Sequence, residues 1–378
     1  MVYPVEEVVP ELRSRLKESN AVILQAPPGA GKSTIVPLAL IHEPWLQGKK
    51  IMMLQPRRLA ARSVATRMAE LLNEKIGEKV GYRIRFENVT GKTTRIEVVT
   101  EGILTRLLQM DNALEGVGLV IFDEFHERSL HADLALTLCL QSQQVLRNDL
   151  RILIMSATLD GEKISAALQN APVINSVGKQ FPVEIKYEGV PKGEPIAISA
   201  SRTIKRALKE QSGDVLVFLP GAGEIRRAQG ILETDHVGAS IFPLYGDLSF
   251  QKQQEALRPD PQGLRKVVLA TSIAETSLTI EGITTVIDSG YSRVPKFDPR
   301  SGLTKLETVR VTRDAADQRT GRAGRLGPGV CYRLWAQATH SHLLPARQPE
   351  ILDADLAPLM LEIFNWRTDV SEIGRAHV

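Results

Sequence analysis

The chain has 378 residues, enough for two or three domains that each bury a core, which excludes a small module stapled by disulfides or metal. Hydrophobic residues make up 43%, charged residues 24% and aromatics 5%, the composition of a folded α/β protein and not of a disordered or fibrous one. With 47 basic and 44 acidic side chains the formal charge is +3, which admits a polyanionic partner without requiring one.

Only Cys139 and Cys331 are present, too few for a disulfide framework or a cysteine-rich zinc site, so a reducing cytoplasm is the expected compartment. No apolar run approaches a membrane span, and the acidic start lacks the features of a signal peptide. In chain order, strands are expected at Ala21 to Leu24, Lys50 to Leu54, Thr94 to Val99, Gly118 to Phe122 and Arg151 to Met155. Most are apolar without alternation, the pattern of strands covered on both faces in a parallel sheet. After a boundary near Ser176 to Phe181, with Val183 to Tyr187 entering the second unit, a second series follows: Asp214 to Leu219, Ala239 to Leu244, Arg265 to Ala270, Ile283 to Ile287 and Val330 to Leu334. Two consecutive α/β sheets are the economical reading.

The run Ala26-Pro27-Pro28-Gly29-Ala30-Gly31-Lys32-Ser33-Thr34 directly follows the first strand. Glycines there let main-chain N–H groups face a triphosphate, Lys32 supplies charge to its β and γ phosphates, and the Ser33 hydroxyl can ligate Mg²⁺. An ordinary glycine-proline turn is the competing reading. Further on, Val117 to Phe122 runs into Asp123-Glu124-Phe125-His126-Glu127-Arg128, a carboxylate pair at a strand end. Asp123 can hold Mg²⁺ through water and Glu124 can take a proton from an attacking water, although acidic residues also commonly end strands. His126 taken alone reads as structural, and so does Ser156-Ala157-Thr158 as a turn. The run Gln318-Arg319-Thr320-Gly321-Arg322-Ala323-Gly324-Arg325 places Arg322 and Arg325 on one face if it begins a helix, where they suit a triphosphate; a solvated basic helix end is the alternative.

In this order the segments resemble the DEAH-box group of superfamily 2 helicases, and Asp123 to Leu130 is most similar to the bacterial HrpB-type RNA helicases, with phenylalanine in place of the usual alanine. The likeness extends through Gln55-Pro56-Arg57-Arg58-Leu59-Ala60-Ala61, Thr100-Glu101-Gly102, Phe218-Leu219-Pro220-Gly221 and Ala270 to Ile280.

The resemblance implies two tandem RecA-like domains, at 1–178 and 179–345, with 346–378 beginning a following helical or winged-helix region. It implies ATP and Mg²⁺ as cofactors, with ATP in the cleft between the domains. Gly29, Ala30, Gly31, Lys32, Ser33 and Thr34 would form the triphosphate site, with Ser33, Asp123 and Glu124 at the metal. Glu124 would be the base, and Asp123, His126, Gln318, Arg322 and Arg325 would complete the catalytic set. Arg67 and Tyr291 would sandwich the adenine. Arg57, Arg58, Arg85, Thr100 and Thr271 would contact an RNA backbone, and Ser156 and Thr158 would couple strand to nucleotide. From composition alone these contacts read as solvated surface.

The expected partner is RNA, as single strand or overhang duplex, with DNA as an open alternative. No membrane is expected, and the protein would act as a monomer moving 3′ to 5′. A nucleic-acid-stimulated ATPase that does not separate strands is the second reading, and a phosphate-loop kinase the third. Two extended runs between Arg293 and Val311, flanking Asp298 to Gly302, read as a β-hairpin, which family members place near the duplex fork. Ser272 departs from the asparagine usual in the family. The segment 372–378 reads as a foreign addition, resembling a translated sequencing adapter, and the natural protein is expected to be longer.

Overall fold

The computed structural model describes residues 3–157, 161–178, 181–191, 193–275, 278, 280–325 and 327–366. The chain divides into two compact units, Met1–Lys179 with Gln348–Val378, and Gln180–Arg347.

The first unit is built on an eight-stranded sheet: β1 (Ala21–Gln25), β2 (Lys50–Gln55), β3 (Val80–Ile84), β4 (Glu87–Val89), β5 (Ile96–Thr100), β6 (Val117–Phe122), β7 (Arg151–Ser156) and β8 (Val173–Asn175). The strands lie in the order β4-β3-β5-β2-β6-β7-β1-β8. All neighbours are parallel except the β3–β4 pair. Successive residues enter opposite layers: Val22, Leu24, Ile51, Met53, Leu119 and Ile121 pack into one core, while Ile23, Met52, Leu54, Val120 and Phe122 pack into the other. A strand with apolar residues at every position therefore serves two cores at once. Each such side chain contributes about 1.5–3 kcal/mol on burial. β3, β4 and β8 escape sequence reading because they are short or carry charged and polar residues on an otherwise apolar pattern.

After the second unit the chain returns to the first. In the helix Ala357–Trp366, Leu359, Ile363 and Trp366 share a face and join the same core as Phe122 and Phe125. The Gln109 Nε2 donates to the Glu362 carbonyl at 3.2 Å, and the Trp366 indole N–H donates to Gln141.

The second unit holds a six-stranded parallel sheet from β9 (Val183–Tyr187), β10 (Asp214–Phe218), β11 (Ser240–Leu244), β12 (Lys266–Ala270), β13 (Ile283–Asp288) and β16 (Gly329–Arg333), ordered β11-β12-β10-β13-β16-β9. All but β9, whose Val-Glu-Ile-Lys-Tyr carries two charged residues, were legible as strands. Helix Ile196–Glu210 lays Ala197, Ala200, Ile204 and Ala207 against Val215 and Val217 of β10. The expected hairpin is present as β14 (Tyr291–Asp298) and β15 (Leu303–Arg310), closed by Asp298, whose side chain accepts from the Arg300 main chain and the Ser301 hydroxyl. Among the described residues no helix is long and apolar enough to cross a membrane.

Candidate nucleotide and nucleic-acid sites

Every strand of the parallel ladder in the first unit delivers its C-terminal end to the same edge of the sheet. Side chains following β5, β2, β6, β7 and β1 therefore line up in that order, about 4.8 Å apart from strand to strand. Thr100, Arg57, Asp123, Ser156 and the glycine-rich loop occupy these ends. Five segments scattered over the sequence become one row.

The glycine-rich loop leaves β1 and turns through Gly29 (φ 86°) and Gly31 (φ 88°), left-handed conformations that a side chain would strain. The Tyr3 ring also lies against Gly31, where an added Cβ would come within 2.9 Å of it. Gly31 ends the loop as N-cap of helix Lys32–Leu40, so the free N–H groups of the first turn and the positive end of the helix face the loop. Lys32 is 4% exposed, and its Nζ lies 3.3 Å from Glu124 Oε1, itself buried. Glu124 Oε2 is 3.6 Å from His126 Nδ1. Two buried charges here balance each other instead of standing alone in a poorly solvating interior.

Asp123 lies beside this pair. It accepts from Gln55 Nε2 at 2.6 Å, from the Glu124 main-chain N–H at 2.9 Å and from the Ser33 hydroxyl. Burial pushes its carboxyl up to about 6 and the Glu124 charge adds to this, while Lys32, Ser33 and Gln55 act in the opposite direction. Gln55 was not singled out as a candidate, although it opens a segment on which the resemblance rests. Its neighbour strand, β6, makes the contact, and no local signal in the sequence announces that adjacency.

Among the described residues no group of three or more His, Cys, Asp or Glu could hold a metal by itself. A hydroxyl and a carboxylate in contact, Ser33 and Asp123, form a hard oxygen pair of the kind Mg²⁺ takes when phosphate and water complete its shell, so these residues fit that ion.

Glu124 and Arg128 both adopt left-handed φ, 53° and 49°, at the two ends of a single 3₁₀ turn over Phe125–Glu127. Phe125 anchors this turn: it is buried and meets Phe122 edge-to-face, with ring centroids 6.1 Å apart. Here the phenylalanine that replaces the family's alanine has a packing role. The Ser156 hydroxyl at the end of β7 is buried with no hydrogen-bond partner among the described residues. Thr158 lies outside the described residues, as do Thr276, Ser277, Thr279 and the segment 372–378.

The expected strand contacts have different settings. Arg58 and Arg85 are exposed. Arg57, in contrast, pairs with Glu127, Nη2 to Oε2 at 3.0 Å. Thr100 stands at the N-cap position of helix Glu101–Met110, and Thr271 donates its main-chain N–H to the Leu244 carbonyl. Beside Arg85, Phe86 forms the tip of the β3–β4 turn. It is 91% exposed at φ 67°, and the Arg85 guanidinium lies 4.7 Å from its ring centroid. Sequence reading passed over Phe86 because nothing local marks an aromatic as solvent-facing; only the turn does.

Of the expected adenine partners, Arg67 is exposed and hydrogen-bonds Glu70 (3.1 Å) and Tyr3. Tyr291 opens β14 with the Arg310 guanidinium 4.3 Å from its ring centroid. Gln318 lies in helix Arg313–Thr320. The run from Gln318 to Arg325 ends this helix and does not begin one, because the chain turns at Gly321 to Gly324, and Gly324 sits where an added Cβ would lie 2.7 Å from the Phe181 carbonyl. Arg322 is 4% exposed and donates to the Glu275 and Leu278 carbonyls, and Arg325 donates to the Leu278 carbonyl at 3.1 Å. Both arginines thus fasten the segment after β12. The fully buried Arg319 bridges Glu275 and Asp288, each at 2.6 Å.

A phosphate-type loop on β1 with a buried lysine–carboxylate pair at the adjacent strand ends, on a tandem α/β chain, defines a P-loop NTPase of helicase type. The family pattern of the DEAD/DEAH box helicase matches residues 6–167, and that of the helicase conserved C-terminal domain matches residues 199–327. The chain belongs to this DEAD/DEAH-box helicase family. It is 53% identical, over 96% of its length, to the ATP-dependent RNA helicase HrpB of Escherichia coli (strain K12), of which it covers 45%. It superposes on the crystal structure of the Escherichia coli DEAH/RHA helicase HrpB with a TM-score of 0.92 and 49% identity, covering 99% of this chain and 49% of that one. A second structure, described as the E. coli DExH-box NTPase HrpB, gives a TM-score of 0.85 at 49% identity over 100% of this chain and 48% of that one. The chain spans about half the length of these relatives.

Proposed function

We propose that this chain is the ATP-hydrolysing core of an HrpB-type RNA helicase. The observation that carries this reading is the buried Lys32–Glu124 pair, with Asp123 and Ser33 beside it. The glycine-rich loop and the start of helix Lys32–Leu40 receive the triphosphate, and Lys32 draws to its β and γ phosphates. Lys32 drawn to phosphate leaves the Glu124 carboxylate to the attacking water, whose proton it accepts. His126 lies on the other oxygen of that carboxylate and holds its orientation. Ser33 and Asp123 hold magnesium, which when bound neutralises charge developing on the phosphates. Gln318, Arg322 and Arg325 complete the set for hydrolysis, and Arg67 and Tyr291 stack the base, which leaves nucleotide choice loose.

Arg57, Arg58, Arg85, Thr100 and Thr271 contact sugar and phosphate, which positions a strand without reading its sequence. The RNA is engaged as a single strand or at an overhang, movement runs 3′ to 5′, and the β14–β15 hairpin parts the duplex. The protein acts as a cytoplasmic monomer.

The test is ATP turnover with and without RNA or DNA, for the wild type and for Glu124→Gln. The variant keeps its shape and is expected to bind nucleotide normally while losing on the order of 10²- to 10⁴-fold in turnover. Normal hydrolysis by Glu124→Gln would mean that another group is the base. Unwinding is read on an overhang duplex, where turnover without strand separation would favour a remodelling ATPase.

A further inference from the structure

The catalytic-loop turn is fastened from several sides. Within it, Glu127 donates its main-chain N–H to the Glu124 carbonyl at 2.9 Å and Arg128 donates to Phe125 at 3.1 Å. The Arg128 guanidinium pairs with Asp133 at 3.2 Å, and the Arg128 carbonyl accepts from the Glu350 main chain at 3.1 Å. Glu350 also accepts from the Leu130 N–H at 2.9 Å. A further fastener is electrostatic: Glu127 Oε2 against Arg57 Nη2 at 3.0 Å, with the two side chains 14% and 21% exposed. Two left-handed, non-glycine residues bound a three-residue turn, a conformation that persists only while its surroundings over-determine it.

Arg57 thus stands between two anionic claims. Its strand β2 is the immediate neighbour of β6, so its guanidinium reaches the turn that carries Glu124, while its position at the sheet edge is where the proposed function puts a strand phosphate. One planar guanidinium fork satisfies one bidentate anion well, and a phosphate competes with a carboxylate on those terms.

We propose that Glu127 is a positioning residue that reports strand binding to the hydrolytic base: its pairing with Arg57 holds the Glu124 turn in a resting geometry, and a nucleic-acid phosphate that takes Arg57 releases it. This inference rests on the proposed function above. The exchange is also felt at Glu101, on which the charges of Glu127 and Glu350 act in one direction and that of Arg57 in the other. Withdrawing Arg57 toward phosphate takes its compensating charge away from Glu127 and removes one fastener of the turn, which loosens the resting position.

The test uses this chain with poly(U) RNA as the probe. Glu127→Gln keeps the shape and removes the charge that holds Arg57. Turnover without RNA is expected to rise several-fold toward the stimulated wild-type value, so that the ratio of stimulated to basal turnover collapses while the KM for ATP stays within about 2-fold. Freed of its competitor, Arg57 should bind poly(U) about 2- to 5-fold more tightly at matched salt, the range a partly exposed ion pair supports. Glu127→Asp, which keeps the charge, should stay close to wild type in both readings. Stimulated wild type alongside an unchanged Glu127→Gln overturns this inference and leaves the proposed function standing. A joint fall of basal turnover, stimulated turnover and melting temperature also overturns it, since Glu127 would then be structural only. A wild type that hydrolyses ATP with no response to poly(U) overturns the strand part of the proposed function, and this inference with it.

Discussion

Glu124, Arg128 and Phe86 are non-glycine residues at φ 53°, 49° and 67°. Two of them bound the turn that carries the proposed base, and the third stands at a hairpin tip with its ring in solvent. An aromatic that is 91% exposed contributes almost nothing to a core, and its left-handed backbone costs on the order of 1–3 kcal/mol. Phe86→Gly relieves the backbone and should leave the melting temperature unchanged or higher. If Phe86 and the neighbouring Arg85 form a stacking platform, the same change weakens single-strand RNA binding by about 1–3 kcal/mol, roughly 5- to 150-fold. Undiminished RNA affinity in a filter-binding titration would reduce Phe86 to an ornament of the turn.

Glu101 offers a different reading at the same scale. Burial pushes its carboxyl up to about 8 and the charges of Glu127 and Glu350 add to this, against a Ser129 hydroxyl at 2.6 Å and the Arg57 charge. The raised value means that the folded protein binds a proton here that the unfolded chain gives up above the ordinary carboxylate value of 4.5. Stability from this group is therefore complete below that value and is lost as pH rises through about 8, at ~1.4 kcal/mol for each pH unit inside the window. Glu101→Gln should flatten the fall in melting temperature between pH 5 and pH 8 (about those limits). An identical slope in wild type and variant would show that Glu101 is ionised in the folded protein.

At the scale of elements, most of the parallel strands were legible because they are apolar on both faces, and the pattern of β6, Val117–Phe122, cannot be satisfied at a surface. The region from residue 346 was expected to begin a helical or winged-helix part, but the destination of helix Ala357–Trp366 was not legible. Sequence reading began a new region at residue 346, whereas Leu359, Ile363 and Trp366 pack into the core of the first unit. The periodicity of an amphipathic helix says that one face is covered and is silent about what covers it. Ile363→Ala should therefore destabilise the first unit by about 2–5 kcal/mol, as a buried truncation does, read as an earlier urea transition. A variant as stable as wild type would show that this helix is loosely attached. The glycine-rich loop illustrates the opposite case: Gly29 and Gly31, the lysine and the hydroxyls are contiguous, so the whole element could be assembled from a single stretch of chain.

For the molecule as a whole, the coupling of the two units is a matter of function. The proposed base lies in the first unit, while Arg322 and Arg325 lie in the second. Arg322→Ala removes buried charged donors to the Glu275 and Leu278 carbonyls, and a loss of about 1–3 kcal/mol in stability is expected. If the arginine also serves hydrolysis, turnover per folded molecule falls by on the order of 10³-fold or more, in the manner of an arginine acting on transferring phosphate. Measuring both on the same preparation separates the two roles: a lower melting temperature with normal turnover per folded molecule would leave Arg322 a structural residue only.

What the sequence determined alone was local or contiguous: the parallel strands from their uninterrupted apolar runs, the phosphate loop from its glycines and lysine, and the hairpin from two extended runs about a turn. The ordered succession of motifs then pointed to the family. Strand adjacency belonged to the tertiary structure, because pairing in a parallel sheet is set by how the crossovers wind and leaves no trace in either strand's own residues. That adjacency put Gln55 on Asp123 and Arg57 on Glu127. The turn at Gly321 to Gly324 ended the helix before Arg322, and core packing carried Trp366 back to the first unit. A contact between residues far apart in the chain costs loop entropy and is stabilised only by the assembled core around it, so it exists nowhere in the sequence until the sheet has formed.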